Sequence, residues 1–189
     1  MQHKLYQTLE DRSNLDEIEN TGPFKCCRND AWLGAGYYYW DNNICHAHWW
    51  GHVAYKYNFK DYVICQSNVD FSQIKIYDLD DTLILEEFNE MVKALHKAYP
   101  NKKITVPVVI EELKRKSKEF QKYHAIKARG NNAAKYDKNL PYKLRFNINN
   151  DAYLDLRPQI QICFISKDTI GNDNFKIIYP EEYAVGYTI

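Results

Sequence analysis

Cys45, His48 and His52 are spaced three and four apart. On a helix they share one face and offer a sulfur and two imidazole nitrogens to one point, the donor set of a three-ligand zinc site. Packing histidines are the alternative for that pair. Asp78, Asp80 and Asp81 place three carboxylates within four positions, oxygen enough to hold a divalent ion in a metal-dependent nuclease. Acids at a strand end also serve as a solvated turn and a helix N-cap, a role that suits Asp80 or Asp81 ahead of Leu83. Cys26 and Cys27 are adjacent and do not make a CxxC pair. Neither common glycine-rich phosphate loop is present, so a nucleotide must be held by other means.

Rings are the other chemical resource. Sixteen Tyr, eight Phe and four Trp make 15% of the 189 residues aromatic, which favours sheet and aromatic-lined pockets. Tyr38 lies in the stretch Trp32 to Trp40, where Gly34 and Gly36 feed a strand whose rings alternate between two faces. The length fits a single domain, and 45% hydrophobic with 26% charged residues excludes disordered and low-complexity architectures. Five cysteines without a leader pattern fit a reducing cytosol, hence a cytoplasmic location, rather than a disulfide framework. The longest apolar runs, such as Val106 to Ile110, fall far short of the roughly 20 residues that cross a bilayer, so no membrane partner is expected.

The elements that must position these groups follow from periodicity and breakers. Strands are expected at Lys4 to Thr8, through Tyr37 to Trp40, at Lys60 to Gln66 and at Ile74 to Leu79. A short helix or acidic loop covers 9 to 20, and Asp41-Asn42 or Asn43 caps a helix that runs to about Tyr55. Phe88, Met91, Val92, Leu95 and Ala98 predict an amphipathic helix from Glu86 to Tyr99. A second helix is expected from Val108 to His124, followed by a flexible connection over 128 to 142. Lys143 to Ile148, Gln159 to Ile165 and Phe175 to Tyr179 read as strands, with Tyr183 to Ile189 as one more. Strands at both ends around a helical block predict a mixed α+β fold rather than a doubly wound parallel sheet.

Charge is uneven although its sum is zero: residues 114 to 145 hold eleven Lys/Arg against Glu119 and Asp137. Lys114, Lys118 and Lys122 recur every four residues, one face of the expected helix. Such a face docks phosphates, and with Arg129 it makes nucleic acid the expected acceptor or partner. A solvated face, or neutralisation by acids elsewhere in the chain, is the competing reading.

Three stretches occur in a telling order. They are Leu5-Tyr6-Gln7-Thr8, then Leu33-Gly34-Ala35-Gly36-Tyr37-Tyr38-Tyr39-Trp40 followed by a helix with Ala47 and Trp49-Trp50, and finally Gln159-Ile160-Gln161-Ile162-Cys163-Phe164. Together they resemble the ADP-ribosyltransferase superfamily, in its branch with a His-Tyr-Glu triad. By that resemblance Gln7 takes the His place, Tyr38 the Tyr place and Gln161 the Glu place.

The resemblance implies a single domain over 1–189, with an ADP-ribosyltransferase-like split β-sheet core and a helical, basic insertion at about 86–142. It also implies NAD as co-substrate. Gln161 and Tyr38 would be catalytic, and Gln7, Thr8, Gly36, Tyr38, Trp49 and Trp50 would hold the cofactor. Tyr38 and one of the two tryptophans would stack on the leaving nicotinamide, Gln7 would hydrogen-bond the adenosine ribose, and Gln161 the nicotinamide ribose. The implied activity is ADP-ribosyl transfer by a bacterial toxin or defence effector that modifies nucleic acid or protein and is paired with an antitoxin protein. Gln161 carries no charge where the family has Glu, so the alternative is an inactive module of the same fold that binds NAD, ADP-ribose or a partner.

Overall fold

The computed structural model describes residues 2–130, 143–149, 152–171 and 175–184. Its first half runs β1 (Gln2–Glu10), α1 (Leu15–Thr21), β2 (Tyr37–Asp41), α2 (Ile44–Ala54), β3 (Tyr62–Asp70) and β4 (Ile76–Asp78). The second half runs α3 (Thr82–Ala98), α4 (Val106–Lys116), β5 (Ala125–Gly130), β6 (Lys143–Arg145), β7 (Tyr153–Asp155), β8 (Gln159–Phe164) and β9 (Lys176–Tyr179). The fold is mixed α+β. Seven strands form one sheet in the order β4-β5-β8-β2-β1-β3-β9, and β6 pairs with β7 in a separate hairpin. Every neighbouring pair in the large sheet is antiparallel except β4 and β5.

Period-two alternation gives the sheet two buried faces. Leu5, Tyr39, Val63, Cys65, Ile162 and Phe164 point to one, where Ile18 of α1, Ile170 and Phe175 complete the cluster. The opposite face is shared. At one end Tyr6, Trp40, Tyr62 and Ile64 pack with Ala47 of α2. At the other, Tyr77, Ile126 and Cys163 pack with Phe88 and Leu95 of α3 and Val109, Ile110 and Leu113 of α4. No helix among the described residues is long and apolar enough to cross a membrane.

Caps set the helix starts. The Asn43 side chain accepts from the Cys45 amide at 3.0 Å and opens α2. Asp81 accepts from the Leu83 amide at 2.9 Å, so α3 begins before the expected Glu86.

Two expectations in the basic region are corrected. The helix predicted from Val108 to His124 stops at Lys116, because the Ser117 hydroxyl takes the Phe120 amide at 3.1 Å. Phe120 then turns into the core against Tyr77, ring centroids 4.7 Å apart. Lys114 is thus on the helix, Lys118 in a turn and Lys122 in a short 3-10 segment, and their spacing of four does not form one helical face. The connection expected at 128 begins as strand, since Ala128 to Gly130 belong to β5; positions 131–142 lie outside the described residues. The strand expected at Tyr183 to Ile189 begins as a 3-10 turn, Glu181–Tyr183, and 185–189 also lie outside the described residues.

Candidate functional site

β1 and β2 share two registered pairs, Leu5 with Asp41 and Tyr6 with Trp40. Past Tyr6 the ladder ends and a cleft of about 520 Å³ opens between the strands. Gln7 spans the gap: its Nε2 donates to the carbonyls of Phe24 at 2.9 Å and Tyr38 at 3.3 Å, and its Oε1 accepts from the Phe24 amide at 2.8 Å. Both ends of that amide are therefore committed to backbone.

All four tryptophans of the chain, Trp32, Trp40, Trp49 and Trp50, line this cleft. Trp40 meets Trp32 edge-on at 6.5 Å and Trp49 at 6.1 Å, and Trp49 lies 6.0 Å from Trp50. β2 supplies Trp40, α2 supplies Trp49 and Trp50, and Trp32 comes from the loop before β2. α2 is seated on β1 by the Thr8 hydroxyl, which donates to the Ala47 carbonyl at 2.9 Å.

Polar lining is cationic at one side. Arg12, Lys25 and Arg28 face the cleft against the carboxylate of Asp30. The Arg28 guanidinium lies 5.0 Å from the Trp50 ring centre, a cation–π distance. Two parallel bonds to Asp30, at 2.9 and 2.7 Å, fix its plane. That pairing holds the Asp30 carboxyl below its ordinary pKa. Arg12 is tied to Glu10 at 3.0 Å.

Of the residues singled out from the sequence, Gln7, Thr8, Tyr38, Trp49, Trp50 and Gln161 all lie on this cleft. Gly36 is buried behind it, where a Cβ would come within 2.3 Å of the Cys163 sulfur. Its backbone bridges Cys26 through two hydrogen bonds and closes the loop of residues 27–35. The Tyr38 hydroxyl accepts from the Leu33 amide and donates to the Gly34 carbonyl, both at 2.7 Å. Burial, and then the neighbouring Cys163, raise its pKa far above the ordinary phenol value, so Tyr38 is a neutral ring rather than a base. Burial likewise pushes the Cys163 thiol up to about 12 and removes it as a nucleophile. Gln161 differs from all of these: its Oε1 is buried with no hydrogen-bond partner among the described residues.

The other sequence candidates are placed elsewhere. His48 Nδ1 meets the Tyr62 hydroxyl at 3.0 Å, and the His52 ring lies 5.7 Å from the Tyr62 ring, while Cys45 is exposed. Asp78 pairs with Lys127 at 2.8 Å, Asp80 with Arg129 at 3.1 Å, and Asp81 caps α3. No group of three metal-ligating side chains occurs among the described residues. The basic residues read as phosphate contacts are mostly matched within the chain, Lys114 by Glu111, Lys122 by Glu119 and Arg129 by Asp80.

Sequence reasoning missed Trp32 and the three cations. Trp32 and Arg28 sit on the loop closed by the Cys26–Gly36 bridge, and Arg12 and Lys25 on the connections either side of α1, none of which has a local sequence signal. It also missed a second cavity of about 500 Å³ that shares Asp30, Ala31 and Trp32 with the cleft. No protein-family model matches this chain, and neither does any curated protein or solved structure.

Proposed function

We propose that the cleft between β1 and β2 binds NAD and that the chain is an NAD-dependent ADP-ribosyltransferase with a split α+β sheet core. Gln161 carries this reading. A buried acceptor without a donor costs about 1–3 kcal/mol, and its residue lines the cleft, so a rotation of the amide would let a ribose hydroxyl supply the missing bond. Around it stand rings for a flat base and cations for a diphosphate, the two halves of a dinucleotide.

In transfer, the bond between nicotinamide N1 and ribose C1′ breaks and its electron pair leaves with neutral nicotinamide. The acceptor then bonds to C1′ and gives up its proton. The ribose passes through an oxocarbenium-like cation, and the negative end of the Gln161 amide is the group available to face it.

A second reading, NAD or ADP-ribose binding without transfer, is favoured by the same residue, because an amide dipole stabilises a cation less than a carboxylate does. Incubating the purified protein with NAD and following nicotinamide release separates the two. The transferase reading expects release above the protein-free rate, raised about tenfold or more in Gln161→Glu. Saturable binding with no release in either protein identifies the binding module, and absence of binding rejects both.

A further inference from the structure

The second cavity lies where the two parallel strands end. Leu79 and Asp80 follow β4, Ala128 and Arg129 belong to the last half of β5, and Thr105, Val106 and Pro107 open α4. Trp32 is its aromatic wall. The ring rests on the backbone of Gly130, where a Cβ would come within 2.4 Å of it, and meets Trp40 edge-on. Any side chain at 130 would push the ring out of the wall it forms.

The chemistry inside is that of a neutral slot. Leu33, Leu79, Val106, Pro107 and Ala128 are apolar. Its charged groups are matched, Asp80 by Arg129 at 3.1 Å and Asp30 by Arg28 at 2.7 Å. Uncommitted polarity comes from Asn29 and from Thr105, whose hydroxyl makes no capping bond to α4. Exposed Lys102 and Lys103 stand three and two residues before Thr105, within chain reach of the α4 end of the slot, and the Lys102 ammonium lies 5.7 Å from the Tyr99 ring centre. A ligand that matches has a flat uncharged ring with donors and acceptors on its edge and an anionic group outside.

We propose that this cavity holds one unstacked base of a single-stranded nucleic acid, stacked on Trp32, with the adjoining phosphates on Lys102 and Lys103. Stacking on an exposed ring is the usual means of gripping single strands, whereas a base inside a duplex cannot reach a slot of this kind without being flipped. The inference goes beyond the NAD reading and does not rest on it, since Trp32 and the slot stand whatever fills the neighbouring cleft.

The test measures fluorescence-anisotropy binding of the full chain, without NAD, at about 50 mM salt. Three probes of about ten nucleotides are compared: single-stranded DNA of mixed sequence, its duplex, and a single strand with an abasic backbone throughout. The single strand is expected to bind at least about tenfold more tightly than either of the others. Val106→Trp fills the slot from a position that is 39% exposed and should lower single-strand affinity by about tenfold with its melting temperature retained. Equal binding of the abasic strand, no binding of the single strand, or a folded Val106→Trp protein that binds unchanged would each overturn the assignment. The abasic comparison uses the unaltered protein and decides the matter even if the variant fails to fold.

Discussion

Gln7 clasps Phe24 by both ends of its amide, Nε2 to the Phe24 carbonyl at 2.9 Å and Phe24 N–H to Oε1 at 2.8 Å. This side chain replaces the ladder bonds that β1 and β2 forgo where the cleft opens, and it is 6% exposed. Gln7→Ala leaves a buried amide and two carbonyls unpaired. It should cost about 2–4 kcal/mol, seen as a lower denaturation midpoint with an unchanged slope. A variant of wild-type stability that had lost only ligand binding would instead make Gln7 a ligand contact.

Tyr38 ties its own strand to the loop that walls both cavities. Tyr38→Phe keeps the ring but frees the Leu33 amide and the Gly34 carbonyl, so the expected loss is about 1–3 kcal/mol. Trp50→Ala removes a half-buried ring from the cleft wall and should lower NAD affinity about tenfold with a smaller loss of stability. Comparing melting temperature with affinity for the two variants checks this. A stability loss in Trp50→Ala as large as that in Tyr38→Phe, with unchanged affinity, would place the Trp50 ring in the core alone.

Asp30 holds Arg28 over Trp50, 5.0 Å from the ring centre, with the Arg28 side chain 52% exposed. Arg28→Gln should weaken ADP-ribose about tenfold and leave nicotinamide affinity unchanged, because only the former carries a diphosphate. Added salt should shrink the difference. A titration in which both ligands weaken alike would show that Arg28 shapes the cleft rather than binding the anion.

Much of this architecture is legible from pattern. The alternation in β1, β3 and β8 and the three-and-four spacing in α3 come directly from the residues that line the buried faces. β5 was not legible, because Lys127 and Arg129 look like exposed positions and become strand residues through Asp78 and Asp80, nearly fifty positions earlier. α4 ends where it does through one Ser117 hydroxyl, a bond that periodicity does not encode. The ring-bearing part of the cleft could be named residue by residue, since Tyr38, Trp49 and Trp50 lie in recognisable elements. Arg28 and Trp32 could not, because a loop closed by Cys26 and Gly36 sets their positions, nor could Arg12 and Lys25, which lie on the connections either side of α1.

His48 gives the fold an acid-sensitive point. Burial, and then the neighbouring His52, push its imidazole below the ordinary value, and burial does the same to His46. The unfolded chain therefore takes up these protons first. Stability is complete above the unfolded value of about 6.5 and declines as the pH falls through it towards the folded value. The melting temperature should drop between about pH 7.5 and 5.5. His48→Gln keeps a polar group for the Tyr62 hydroxyl, cannot titrate, and should narrow that drop. An unaltered pH profile in the variant would remove His48 from the account.

The central claim is that the cleft past Tyr6 is a dinucleotide site, and calorimetric titration of the unaltered protein with NAD tests it most directly. The account predicts a saturable one-to-one isotherm, weakened by Arg28→Gln and by Trp50→Ala. No heat of binding up to about 1 mM NAD, where the binding free energy would be only about −4 kcal/mol, would contradict it.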